Sequence, residues 1–222
     1  MIKKFVRFAM LLSIGVLVFS GIQSQTSYAT KTTKIENKRM EKPAVSLEDK
    51  NVLVLSLDYG QVYIKLRPDL APNHVKRIRK LADSGFYDGV LFHRVIDGFM
   101  AQTGDPTGTG TGGSGQHIKA EFNDGKFVRG TVGMARAQHE DSADSQFFIT
   151  FKDSSFLNGQ YTVFGQVIAG MDHVDKIKRG EPPADPDKVI WAKVITDAEA
   201  EMETELEEPD FIDGQLEPKR YQ

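Results

Sequence analysis

The chain has 222 residues, 27% charged and 40% hydrophobic, with a formal net charge of −3 and no cysteine. That composition fits a soluble globular body and excludes both a disulfide framework and a cysteine-linked lipid anchor. Ten acidic residues against Lys219 and Arg220 give 197–222 a balance of −8, so 30–196 is left near +2 and nothing in it points to nucleic acid.

The amino-terminal stretch has the order of a secretory signal. Lys3, Lys4 and Arg7 precede the apolar run 8–22, and the small-x-small triplet Ser27-Tyr28-Ala29 follows. The run is too short for the roughly 20 residues that span a bilayer. Cleavage after Ala29 is therefore expected, with an uncleaved amino-terminal anchor as the alternative. Residues 30–47 are polar and aperiodic and read as a linker.

The body, 48–197, is expected to open with a β-hairpin, because two alternating apolar runs flank Asp58-Tyr59-Gly60. An amphipathic helix should follow, with Val75, Ile78, Leu81 and Ala82 on one face, Pro72 near its start and Gly85 past its end. Short β-rich runs occupy 91–102, 130–136, 146–151, 161–168 and 188–196, and Met171, Val174 and Ile177 mark a second short helix. Many short strands with two helices favour an antiparallel barrel or sandwich over a parallel sheet. The acidic tail 198–222 holds few large apolar residues and is expected to be largely disordered.

Several tempting chemistries fail on context. The glycines of "GDPTGTGTGGSGQH" open no helix and lack a Lys-Ser/Thr pair, so they read as a loop wrapping a site and not as a phosphate cradle. His74, His93, His117, His139 and His173 show no ligand spacing. Ser142 and Ser145 lie near His139 and Asp141, but without a G-x-S-x-G elbow.

Strand parity leaves one cluster. Gln146 and Phe148 share a face of their run, with Phe147, Ile149 and Phe151 on the other, and Phe92, Arg94 and Ile96 share a face of theirs. Asp97-Gly98 is a turn that can re-aim Phe99 and Met100. An apolar dish holding one arginine and two glutamines has the composition of a ligand pocket. Parity alone leaves open that Arg94 is a strand-edge surface residue and the aromatics are core.

The blocks "FHRVIDGFMAQTGDPTGTGTGGSG", "GMARA", "SADSQFFIT" and "FLNGQYTVFGQVIAGMD" resemble the signatures of the cyclophilins, the peptidyl-prolyl cis-trans isomerases, in the family's order across about 51–196. The likeness is greatest to their exported bacterial branch. It implies a mainly β fold: a closed eight-stranded antiparallel barrel capped by two helices, with the site on the outer face. It implies isomerisation of X–Pro bonds in exported, partly folded clients in the periplasm, without cofactor or metal. The alternative is a non-catalytic chaperone or assembly factor holding Pro-containing segments.

By the same resemblance Arg94 matches the catalytic arginine. Phe99, Met100, Gln102, Gln146, Phe148 and Leu157 match substrate-pocket positions, and Met134 and Ala135 match the segment that pairs with substrate backbone. Gln102 is expected to orient the guanidinium or bind the carbonyl of the rotating bond. Phe156, Tyr161 and Arg136 depart from the eukaryotic pattern of tryptophan, histidine and asparagine, so cyclosporin binding is expected to be weak. Trp191 matches no site position and is assigned to packing. The chain is expected to act as a monomer.

Overall fold

A computed structural model describes residues 50–207, 211–212 and 215–216, with side chains through residue 204. The signal sequence and linker expected at 1–47 lie outside the described residues.

The hairpin forms as expected. Strands β1 (Val52–Leu57) and β2 (Gly60–Leu66) pair antiparallel across Asp58-Tyr59, and Gly60 takes φ +129°, in the positive region that favours glycine. Helix α1 (Pro72–Asp83) follows, with proline at its first turn, where no amide donor is needed. Its predicted face, Val75, Ile78, Leu81 and Ala82, is buried in the main core. Burial of each larger member is worth about 1.5–3 kcal/mol.

The remaining strands are β3 (Arg94–Ile96), β4 (Met100–Thr103), β5 (Thr131–Met134), β6 (Phe147–Thr150), β7 (Val163–Ala169) and β8 (Trp191–Ile195). Between β7 and β8 lies the short helix α2 (Met171–Asp175). The sheet order is β3-β4-β6-β5-β7-β2-β1-β8, and every pairing is antiparallel. Its curled interior holds the main core, including Phe147, Ile149, Phe92 and Phe164.

The closed barrel is corrected to a half-barrel. No ladder joins edge strands β3 and β8. Single contacts from neighbouring segments bridge the gap instead: Gly89 N donates to Val189 O at 2.7 Å, Val189 N to Val90 O at 2.9 Å and Phe92 N to Asp187 O at 2.8 Å. The segment facing this edge contains Pro182, Pro183 and Pro186, which lack the N–H donors a ladder requires.

Two carboxylates pin the glycine-rich loop. Asp105, fully buried, accepts from Thr107 N and Oγ1 (both 2.7 Å), Gly110 N (2.6 Å) and Gly112 N (3.0 Å). Asp144 accepts from Gly115 N (2.8 Å) and Gln116 N (3.2 Å), and Arg77 of α1 backs it at 3.3 Å. Burial pushes the Asp105 carboxyl up, but the donors from Thr107, Gly112 and Gly110 outweigh it and hold it well below the usual carboxylate range.

The tail also needs correction. Helix α3 (Asp197–Glu207) replaces expected disorder at the start of that segment. Thr196 caps it: its Oγ1 accepts from Glu199 N at 3.2 Å, while Glu199 Oε2 accepts from Thr196 N at 2.8 Å. Ala200 is buried against Val52, Val54, Tyr63 and Ile195, a second apolar cluster that also contacts Trp191. A solvated helix of this length is marginal alone, so docking stabilises it. Of the rest of the tail, only Phe211–Ile212 and Gln215–Leu216 are described, as a two-stranded ladder.

Two measurements follow from this architecture. Deleting the chain from Asp197 onward should lower the melting temperature by at least about 2–4 °C, the shift 1 kcal/mol produces in a domain of this size. An unchanged value would mean that α3 adds no stability. Because Asp105 has a lowered pKa when folded, its contribution is complete above the unfolded carboxylate value of about 4 and fades as pH falls toward the lowered one. The melting temperature between about pH 5 and pH 2 should therefore fall less steeply in Asp105→Asn than in the parent chain. Parallel slopes would remove Asp105 from that role.

Candidate functional site

The sheet places one row of residues on its outer face. Arg94 stands opposite Gln102 across β3 and β4, Gln102 opposite Phe148 across β4 and β6, and Phe148 opposite Gly133 across β6 and β5. Directly opposed positions share a face. Met100, Phe127, Phe148, Leu157 and Val163 form an apolar cluster there, with Ile96, Phe99, Ala135 and Tyr161 packed on it.

This cluster floors a hollow of about 680 Å³. Arg94, Phe99, Met100, Gln102, Ala135, Phe148, Phe156, Leu157 and Tyr161 all line it. Phe148 stacks on Phe127 with centroids 5.6 Å apart and meets Tyr161 edge-on at 5.8 Å. Phe156, 64% exposed, forms the rim and leans on Phe99 at 5.4 Å. Gly133 is required beneath this arrangement, because a Cβ there would come within 2.5 Å of the Phe127 ring and 2.6 Å of the Phe148 ring.

Two expected site residues sit elsewhere. Met134, expected through its backbone, opposes Phe147 and is buried in the main core, so its side chain faces away from the hollow. Its backbone N donates to Thr162 O at 2.9 Å. Gln146 lines an adjoining hollow that shares Gln102, Gly110, Ala135 and Arg136 with the first. Gln102 Nε2 donates to Gln146 Oε1 at 2.8 Å, and Gln146 Nε2 donates to Gly112 O at 2.8 Å and Gly110 O at 3.1 Å. The two glutamines therefore tie the floor to the glycine-rich loop. The residue that bonds the guanidinium is not Gln102 but Glu181, whose Oε2 accepts from Arg94 Nε at 2.8 Å.

Glu181 was missed because no motif or local periodicity links it to Arg94. Two backbone bonds bring it there: Val95 N to Gly180 O and Gly180 N to Val95 O, both 2.8 Å. Among the lining residues Arg94 and Arg136 are the formally basic side chains besides His93, and Glu181 is the acidic one. Burial lowers the pKa of the neighbouring His93, so its imidazole is neutral there. Arg136 serves the wall: its guanidinium lies 4.9 Å from the Tyr161 ring and donates to Ala137 O and Gln138 O, each at 3.1 Å.

Ser145 and Ser142 have structural tasks. Ser145 Oγ is buried and donates to Gly104 O at 2.7 Å, while Ser142 Oγ accepts from Ala137 N at 2.9 Å and donates to His139 O. What remains in the hollow is an apolar seat with a guanidinium at its edge. Such a site can grip a compact ring and offer hydrogen-bond donors, but it holds no activated nucleophile.

Comparison with known proteins gives the same picture. The family described as "Cyclophilin type peptidyl-prolyl cis-trans isomerase" matches residues 52–199. A probable peptidyl-prolyl cis-trans isomerase of Brucella suis is 52% identical over 171 residues, covering 69% of this chain and 87% of the relative. Peptidyl-prolyl cis-trans isomerase B of Bacillus subtilis is 44% identical over 126 residues, covering 56% of this chain and 87% of that one. Among solved structures, a cyclophilin-type isomerase of Cryptosporidium parvum, crystallised in the presence of the dipeptide Ala-Pro, superimposes with a TM-score of 0.61 at 30% identity, covering 66% of this chain and 99% of its own. With an outer-face hollow of this make-up and a match over most of the folded body, the chain belongs to the cyclophilin-type peptidyl-prolyl cis-trans isomerases.

Proposed function

We propose that Arg94 is the catalytic group and that Phe99, Met100, Phe148 and Leu157 seat the proline ring of the client. The observation that carries this is the shared hollow, with the guanidinium at the edge of the apolar floor and two of its three nitrogens unbonded among the described residues.

Rotation about an X–Pro bond breaks no covalent bond. It interrupts amide resonance, at a barrier of about 18–20 kcal/mol. Unaided it takes roughly 10–100 s at room temperature. As the bond twists, the proline nitrogen pyramidalises and its lone pair localises. A guanidinium that donates to that lone pair binds the twisted state more strongly than the planar one, and only such differential binding lowers a barrier. Arginine suits the task because it stays charged and its donors are fixed in one plane. The apolar floor holds the ring while the acyl half turns, and excludes water that would favour the planar, more polar amide. Gln102 and Gln146, bonded to each other, fix the loop-side wall.

The finer reading concerns place and clients. The charged, apolar and small-x-small order at 1–29 supports export to the periplasm, with partly folded exported proteins as substrates. The amino-terminal mass of the native protein tests it: a start after Ala29 agrees, and an intact Met1 points to the anchored alternative. Phe156 at the rim, in place of tryptophan, supports weak cyclosporin binding.

The catalytic assignment is tested in a coupled cis-to-trans assay on a short X–Pro peptide. Arg94→Ala is expected to lower kcat by about 100-fold or more, the usual loss when one preorganised donor is removed. Equal rates for the variant and the parent would leave a surface that only holds proline-containing segments.

A further inference from the structure

The hollow contains one acidic residue, Glu181, and its position is built with some care. Gly180 exchanges two backbone hydrogen bonds with Val95, the residue after Arg94. Gly180 has φ +149°, and a Cβ there would meet the Pro183 backbone and come within 2.7 Å of Pro182 O. That position therefore requires glycine. The next residue, Glu181, is thus delivered beside Arg94, and Pro182 after it also lines the hollow.

The contact is selective within the guanidinium. Glu181 Oε2 takes the Nε–H at 2.8 Å, while neither Nη has a hydrogen-bond partner among the described residues. Arginine has five N–H donors, so one is held and the four on Nη1 and Nη2 stay available. The side chains of Arg94 and Glu181 are 44% and 51% exposed, so packing alone does not fix the guanidinium. A long, half-exposed arginine has rotamer entropy to lose when it is held in one geometry.

From this geometry we infer that Glu181 is a positioning residue: it fixes Arg94 by the Nε edge so that the two Nη groups face the twisting X–Pro bond. The inference rests on the reading of Arg94 as the donor. Two effects oppose each other. The carboxylate reduces the net positive field over the hollow, which alone would slow the reaction. Fixing the donors removes a search over rotamers at each turnover, which speeds it. The second wins, because the half-exposed charge is already screened by water, whereas donor geometry acts at contact distance.

The test is a double-mutant cycle in the same peptide assay, with Arg94→Ala, Glu181→Ala and the double variant, and with Glu181→Gln alongside. Glu181→Ala is expected to lower kcat roughly two- to fivefold, the range an exposed ion pair allows, with KM and melting temperature unchanged. Glu181→Gln retains an oxygen acceptor for Nε and should recover at least half of that loss. In the Arg94→Ala background, Glu181→Ala should have no further effect. The inference is overturned if Glu181→Ala matches the parent while Arg94→Ala is slow, if it slows the Arg94→Ala enzyme by the same factor, if it changes only KM, or if Gln is no better than Ala. If Arg94→Ala itself turns over like the parent, the underlying reading of Arg94 fails instead, and the cycle shows which of the two has gone.

Discussion

Arg94, Gln102, Phe148 and Gly133 can share a face only while β3, β4, β6 and β5 keep their register. Side chains alternate along a strand, so a slip of one residue at any of these pairings would send its members to the opposite face. The same register sends Phe147, Ile149 and Met134 into the main core. Burial of that inner set fixes the placement of the outer one. The site is thus held by the core behind it, and the missing side chain of Gly133 leaves room for Phe148 to lie flat against Phe127.

An apolar cluster on an outer sheet face would ordinarily invite association. Here the surrounding segments make it concave. The glycine-rich loop, pinned by Asp105 and Asp144, is tied through Gln146 and Gln102 to the floor. The Gly180–Pro183 strap raises the opposite rim and brings Glu181 to the arginine. Arg136 braces Tyr161 from outside. The chemistry needs little more, since bond rotation requires a seat, a donor and the exclusion of water.

Much of this was legible in the sequence where local rules operate. The hairpin around Asp58-Tyr59-Gly60, the four-residue apolar face of α1 and the opposite facing of Phe147 and Phe148 follow from periodicity alone. The resemblance supplied what periodicity left open, namely that Arg94 belongs to the pocket and not to a solvated edge. Other features depended on contacts remote in sequence. Glu181 meets Arg94 only because Gly180 bridges to Val95, and no pattern near either residue encodes that meeting. Ala200 looked like part of a solvated tail because the groove that buries it is formed by β1, β2 and β8. The inward direction of the Met134 side chain follows from its pairing with Phe147, a register that only the folded sheet supplies. The sheet stays open between β3 and β8, where the prolines after Gly180 lack the donors a ladder needs.

At the centre of the account stands a planar set of fixed donors, as distinct from positive charge alone. Arg94→Lys separates the two, because lysine keeps the charge on a compact ammonium but has neither an Nε to pair with Glu181 nor two coplanar donor groups. Its kcat for a short X–Pro peptide, measured beside Arg94→Ala, should stay close to the alanine value. A lysine enzyme that turns over as fast as the parent would show that charge near the proline suffices, and would contradict the role assigned to the guanidinium.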